Sequence, residues 1–112
     1  ALLSPGPHAA WFSPDVLSGD RARWTVTAQS DRVAVRLSGH AVSRHRAGEV
    51  PSLALVRGAV QVPPSGELIV MLADHPTTGG YPIIGVMKPH DVDRLAQTPP
   101  DAAVQIQLRK KG

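Results

Sequence analysis

The segment 73–82, which reads ADHPTTGGYP, carries more hydrogen-bonding and titratable groups than a turn of the chain requires. A β-turn is built from about four residues, most of them Gly, Pro, Asn, Asp or Ser. Here a carboxylate, an imidazole, two hydroxyls, two glycines and a phenol lie between two apolar runs. This composition raises two alternatives, a ligand pocket and a rigid hairpin.

As a ligand pocket, the segment would bind an anionic oxygen. The glycine pair at 79–80 permits positive φ and lets backbone N–H groups approach a ligand closely. Thr77 and Thr78 add hydroxyl donors and acceptors, Asp74 can orient a donor, and His75 adds an imidazole. As a rigid hairpin, the segment would use Asp74 and the threonines to hydrogen-bond backbone groups. Considered alone, the residues favour the hairpin.

Two further polar clusters are candidates for a site. In the run QSDR at 29–32, Asp31 and Arg32 could bind a substrate, or Asp31 could pair with a nearby arginine. Gln61 precedes the loop PPSG at 63–66, and the alternative there is a turn with one buried glutamine.

Several classes of site are excluded or disfavoured. The absence of cysteine excludes disulfides, thiolate metal sites and a cysteine nucleophile. The five histidines show no HxH or HExxH spacing, so no metal site is expected. GxSxG, P-loop and GxGxxG motifs are missing, which argues against a self-contained nucleotide site.

Charge and hydropathy restrict the partners. The net charge is +3, and basic residues are concentrated at 44–46 and 109–111. The chain has only four Trp, Tyr and Phe residues, so it lacks the aromatic side chains that would alternate with basic ones on a nucleic-acid-binding surface. No nucleic-acid partner is therefore expected. No apolar run approaches the length of a membrane span, so no membrane partner is expected. A cytoplasmic location is compatible with the lack of cysteine.

The elements that position these residues are predicted to be short β-strands. Eleven prolines and ten glycines are spread along 112 residues, and apolar residues alternate with polar ones in several runs. We expect a single all-β domain over residues 1–112, with short helical pieces near 13–17 and 91–97. Strands are predicted near 23–28, 32–38, 53–57, 58–62, 67–73, 82–87 and 103–109. The periodicity does not distinguish a barrel from a sandwich.

The sequence also resembles a known family. The stretches that carry the resemblance are LSPGPHAAWF (3–12), QSDRVAVRLSG (29–39), GAVQVPPSGELIVMLADHPTTGGYPIIGVM (58–87) and DVDRLAQTPPDAAVQI (91–106). They are similar to the biotin-dependent carboxyltransferase domain family, which includes allophanate hydrolase subunit 2, the 5-oxoprolinase C subunit and a domain of urea carboxylase. The resemblance implies a cyclophilin-like antiparallel β-barrel and places the chain in the C-terminal part of longer family members.

For function, the resemblance implies a subunit or fragment of an amide-processing enzyme that is not active alone. It implies a small amide substrate, a companion subunit resembling allophanate hydrolase subunit 1, an oligomer, and ATP or carboxybiotin only through partner subunits. No catalytic residue is assigned. The implied substrate-binding residues are Asp31, Arg32, Gln61, Asp74, Thr77, Thr78, Gly79, Gly80 and Tyr81.

The sequence departs from the family pattern at two points. Val33-Ala34 stand where Met-Gly is usual, and His75-Pro76 stand where Arg-Gln is usual. Because histidine lacks the bidentate fork of arginine, the second change weakens any carboxylate or phosphate clamp. The alternative function is therefore a non-catalytic regulatory or binding module, resembling the family member that opposes a sporulation-kinase inhibitor.

Overall fold

The computed structural model describes residues 1–45 and 50–109. This part of the chain holds ten strands, one α-helix and two 3₁₀-helical turns. The strands are β1 (Leu2–Pro5), β2 (Arg23–Val26), β3 (Ala34–Gly39), β4 (Leu53–Ala54), β5 (Ala59–Gln61), β6 (Leu68–Met71), β7 (Thr78–Gly79), β8 (Ile83–Val86), β9 (Ala103–Gln105) and β10 (Gln107–Leu108). The 3₁₀ turns are Ala9–Trp11 and Gly19–Ala22, and α1 is Pro89–Ala96.

Eight strands form one sheet in the order β10-β1-β8-β5-β6-β3-β2-β9. Strands β9 and β10 are separated in sequence only by Ile106, yet they pair with opposite ends of this sheet. The segment 103–108 therefore closes the sheet into a barrel. All pairings are antiparallel except that of β1 with β10. The predicted all-β, cyclophilin-like barrel is confirmed.

Both faces of the central strands are covered by apolar side chains. One face contributes to the main core, which includes Trp24, Leu37 and Val70. The opposite face carries a second cluster of six buried residues, which are Ala34, Leu55, Ala59, Ile69, Met71 and Ile83. Strands β4 and β7 form a separate two-stranded ribbon, and Leu55 at its end belongs to this second cluster.

Some predicted elements differ from the structure. The sequence does not predict strand β1, because the run LLSP is short and not alternating. The helical piece predicted at 13–17 is a turn, since the Ser13 hydroxyl donates to the Asp15 carboxylate instead of accepting from the backbone as a helix cap would. Helix α1 begins two residues earlier than predicted, at Pro89, which suits the first helical turn. Its buried residues are Val92 and Leu95.

The two basic runs noted in the sequence extend beyond the described residues, at Arg46 and at Lys110 and Lys111. Within residues 1–45 and 50–109, no helix is both long and apolar enough to cross a membrane.

Candidate functional site

The segment 73–82 leaves the barrel at the end of β6 and returns to it at β8. A turn follows Leu72, whose carbonyl accepts the N–H of His75 at 3.2 Å. The chain then forms β7, which pairs with β4 in the register Leu53 with Gly79 and Ala54 with Thr78. The Leu55 N–H donates to the Thr77 carbonyl at 2.9 Å and extends this pairing. The segment is therefore held as one strand of the ribbon.

Gln61 lies beneath that ribbon. It is the last residue of β5 and pairs with Ile69 on one side and Ile83 on the other, with a register irregularity between Val60 and Gln61. A Cβ atom built on Gly79 would overlap the Nε2 atom of Gln61 and come within 3.0 Å of Leu55 Cδ1. Glycine at position 79 lets the backbone approach the carboxamide, and a larger residue there would require the Gln61 side chain to shift.

The carboxamide nitrogen of Gln61 is buried without a hydrogen-bond partner among the described residues. The residue is 5% exposed, and Nε2 has no partner among the described residues. Leaving such a donor unpaired costs about 1–3 kcal/mol. Buried polar groups in native proteins are almost always paired, so this unpaired donor is a candidate for a hydrogen bond to a group outside the described residues.

The other polar side chains of the segment point to solvent. Asp74, Thr77 and Thr78 are exposed, and Tyr81 is 44% exposed. Within the described part of the chain, none of these four side chains makes a hydrogen bond. The hairpin alternative required Asp74 and the threonines to bond backbone groups, and they do not do so here. Their hydroxyl and carboxylate groups are available to a ligand.

The expectation for the glycine pair needs correction. Neither Gly79 nor Gly80 has positive φ, so their conformational freedom is not what the fold uses. Gly79 is closely packed, so that a Cβ there would displace the Gln61 side chain, whereas a Cβ on Gly80 would meet open space. His75 hydrogen-bonds within the segment, between its Nδ1 atom and the Pro76 carbonyl at 2.7 Å.

His8 also positions the segment, although its place in the sequence does not single it out. The ring Nδ1 of His8 accepts the backbone N–H of Ile83 at 2.9 Å, and the backbone N–H of His8 donates to the Ile83 carbonyl at 3.1 Å. The side chain is 8% exposed and contacts Trp11 edge to face. These bonds fix the chain directly after Tyr81 and Pro82. Only the position of one histidine in an apolar stretch could have indicated this role.

Asp31 fulfils the structural role that Asp74 does not. Its Oδ1 accepts the N–H groups of Val33 at 2.8 Å and Ala34 at 3.1 Å. These backbone bonds, Ala34 first and then Val33, lower the pKa of the carboxyl below its ordinary value of 3.8, and Arg36 adds a smaller effect. Arg36 itself pairs with Glu67 at 3.1 Å. Asp31 therefore stabilises the turn into β3.

Asp31 and Arg32 line a cavity of about 410 Å³ together with residues of α1 and the turn that follows it. Its other lining residues are Val26, Ser30, Val35, Leu95, Ala96, Thr98 and Pro100. A second cavity, of about 250 Å³, lies on the other side of Leu95 and Thr98, against 103–106. Neither cavity includes Gln61 or any residue of 73–82. The structure thus brings Gln61 and Gly79 into contact, and it places Asp31 and Arg32 at a cavity that neither of those residues lines.

Curated relatives were found by sequence. The 5-oxoprolinase C subunit of Escherichia coli is 41% identical over 98 residues, which cover 85% of this chain and 31% of the relative. The 5-oxoprolinase C subunit of Haemophilus influenzae is 43% identical over 77 residues, which cover 69% of this chain and 25% of the relative. The chain therefore matches less than a third of the length of these relatives.

A solved structure supports the fold. The urea carboxylase of Kluyveromyces lactis superposes on 94% of this chain with a TM-score of 0.81, at 20% identity, and the match covers 10% of that enzyme. At this identity the likeness concerns the fold. The family model described as carboxyltransferase domain, subdomain A and B, matches residues 2–108. The chain therefore belongs to this carboxyltransferase domain family.

Proposed function

We propose that the chain is part of a multi-subunit amide-processing enzyme of the 5-oxoprolinase type, and that it supplies the surface that binds a small amide. The observation that carries the proposal is the buried Gln61 carboxamide, unpaired beneath Gly79. The relatives named as C subunits of 5-oxoprolinase support the reaction class, which is ATP-driven opening of a cyclic amide.

In this proposal the ribbon and β5 hold the amide from two sides. Gln61 donates to the amide oxygen from the barrel side. Thr77, Thr78 and Tyr81 hydrogen-bond it from the solvent side, and Asp74 orients a donor. The backbone N–H groups of 79–80 stabilise negative charge that develops on the oxygen as the amide carbon is attacked. In this proposal Asp31 and Arg32 do not contact the amide. Asp31 braces the turn into β3 through its bonds to Val33 and Ala34, and Arg32 lines the separate cavity.

ATP and carboxybiotin are assigned to partner subunits. The segment 73–82 contains neither lysine nor arginine, so it offers no cation to a triphosphate. A companion subunit resembling allophanate hydrolase subunit 1 would contribute the chemistry that this chain lacks. The same proposal includes an oligomeric assembly and a cytoplasmic location, with which the absence of cysteine is compatible.

The test is reconstitution of the full-length protein with its companion subunits. One reaction contains 5-oxoproline and ATP, and the other contains allophanate. Glutamate formation that depends on this chain and on ATP supports the 5-oxoprolinase assignment. Turnover of allophanate alone would move the assignment to allophanate hydrolase. Turnover of neither would contradict the proposal.

The second candidate is a non-catalytic regulatory module. The observation that favours it is that His75 replaces the usual arginine, and that its ring nitrogen is hydrogen-bonded to Pro76 rather than directed to a ligand. Under this candidate, removing the chain from the reconstituted complex would change the rate of a partner's reaction without abolishing it.

A further inference from the structure

We propose that the cavity lined by Asp31 and Arg32 binds a small zwitterion with an apolar side chain, that is, an aliphatic α-amino acid. This inference goes beyond the proposed function, because the cavity includes neither Gln61 nor any residue of the segment 73–82. It gives the QSDR run at 29–32 a role that the amide-binding surface does not supply.

The cavity has the size of a small-molecule site. Its volume is about 410 Å³, within the range of about 300–1,000 Å³ that is typical of ligand pockets. Its apolar lining comes from two strands and one helix, with Val26 on β2, Val35 on β3 and Leu95 on α1. All three residues belong to the main core. Regular secondary structure therefore shapes the apolar part of the cavity, and an aliphatic group placed there would be removed from water.

The cavity carries one charge of each sign. Among the described residues that line it, Asp31 and Arg32 are the charged ones. Neither takes part in the ion pairs that the described residues form. A ligand with one cationic and one anionic group matches this arrangement, whereas a ligand with a single charge would leave one of the two side chains without a partner.

The Asp31 carboxylate keeps its negative charge for such a ligand. The backbone N–H groups of Ala34 and Val33 both donate to its Oδ1 atom. These bonds stabilise the ionised form and lower the pKa of Asp31, and the charge of Arg36 adds to the effect. The carbonyl end of α1 reaches the same cavity at Ala96, and its partial negative charge also favours a cation. The cavity is therefore suited to an ammonium group.

Arg32 supplies the group that binds the anionic end. Its side chain is exposed and is in no ion pair with the described residues. A guanidinium group binds a carboxylate through two parallel N–H···O bonds. In an α-amino acid the carboxylate and the ammonium group are attached to the same carbon atom, so they can reach two charged side chains that line one cavity. The aliphatic side chain of the ligand then lies against the apolar lining.

The experiment compares three ligands of the same aliphatic shape with the full-length protein in solution. The first is leucine, which carries both charges. The second is 4-methylpentanoate, which lacks the ammonium group, and the third is 3-methylbutylamine, which lacks the carboxylate. Titrations are followed by NMR through the backbone amides of Val35 and Leu95 at the cavity, with Gly79 as a distant reference. We expect leucine to bind at least about tenfold more tightly than either of the others, since each of these loses one charge-assisted interaction.

A variant makes the same test from the protein side. Arg32→Gln keeps a polar side chain and removes the charge, so the preference for leucine over 3-methylbutylamine should disappear. Arg23→Gln is the matched control, because Arg23 is exposed on β2 and does not line the cavity, and it should leave the preference intact. The wild-type comparison does not depend on how well either variant folds.

Equal binding of the three ligands, or no binding of leucine to the wild type, would overturn the inference. Leucine binding that shifts the signal of Gly79 and not those of the cavity residues would do so too, as would a preference over 3-methylbutylamine that survives in Arg32→Gln. None of these results bears on amide turnover by the reconstituted complex, so the failure of this inference and the failure of the proposed function are distinguishable.

Discussion

The carboxamide of Gln61 packs against the backbone of Gly79 so closely that a methyl group on residue 79 would overlap the Nε2 atom. This contact joins the barrel to the ribbon, since Gln61 ends β5 and Gly79 ends β7. It is formed between two residues that lie 18 positions apart in the sequence. A side chain at position 79 would therefore displace Gln61, whereas a side chain at position 80 would displace no neighbour.

Gly79→Ala is expected to lower the free energy of unfolding by about 1–3 kcal/mol, because the added methyl group forces Gln61 or the ribbon to move. Gly80→Ala is the matched control. A Cβ there meets open space and φ is not positive, so its effect should stay within about 0.5 kcal/mol. Chemical denaturation of both variants measures the difference, and equal stabilities would contradict the close contact.

Thr78→Val removes one hydroxyl at nearly constant volume. Thr78 is exposed, and its hydroxyl makes no hydrogen bond among the described residues, so the melting temperature should change little. If the hydroxyl bonds the amide ligand, its loss should weaken binding by about 1–3 kcal/mol. Calorimetric titration and thermal unfolding of the same variant give both values. A fall in stability with unchanged binding would show that the segment serves only as a rigid hairpin.

The sequence predicted the barrel better than it predicted the site. The alternation of Val33, Val35 and Leu37 predicts a strand because successive side chains point to opposite faces. The continuously apolar run 68–73 predicts a strand that is covered on both faces. Residues from distant strands meet by tertiary packing, which periodicity does not encode. The contact between Gln61 and Gly79 and the bond from Ile83 to His8 are of this kind. The convergence of Asp74, Thr77, Thr78 and Tyr81 on one bound ligand stays a prediction.

Asp31→Asn tests the charge of the Asp31 carboxylate while keeping an oxygen that can accept from Val33 and Ala34. The backbone N–H groups stabilise the ionised form and lower its pKa in the folded state below 3.8. A lowered folded pKa adds stability above the unfolded pKa, and this contribution is lost as pH falls through the folded value. The wild type should therefore exceed the variant in stability at pH 7.

The difference between wild type and Asp31→Asn should shrink as the pH falls below about 4. Urea unfolding at a series of pH values from neutral to acidic measures it. Asp93→Asn serves for comparison. Asp93 is an exposed carboxylate that pairs with the Arg57 side chain. Among the described residues outside its own helix, no backbone N–H donates to it. A constant difference between wild type and Asp31→Asn over the whole range would contradict this account of the turn.

The burial of Gln61 predicts that a ligand reaches it when β7 separates from β4. Nε2 is screened from solvent by the ribbon, so a closed ribbon blocks access to it. The ribbon has few backbone bonds of its own, and strands this short open locally at low cost. The chain has no cysteine, so an introduced pair of cysteines meets no other thiol in the same molecule.

Ala54→Cys combined with Thr78→Cys places that pair across the ribbon. The Leu55 N–H bonds the Thr77 carbonyl, so Ala54 and Thr78 form the adjacent non-hydrogen-bonded pair, in which Cα atoms lie about 4.5 Å apart. This spacing permits a disulfide. The oxidised form should bind a small amide such as 5-oxoproline more slowly than the reduced form of the same variant, because only the reduced ribbon opens. Stopped-flow binding before and after reduction measures the two rates, and the shared substitutions cancel the loss of the Thr78 hydroxyl. Equal rates would show that β7 does not need to leave β4 for a ligand to reach Gln61.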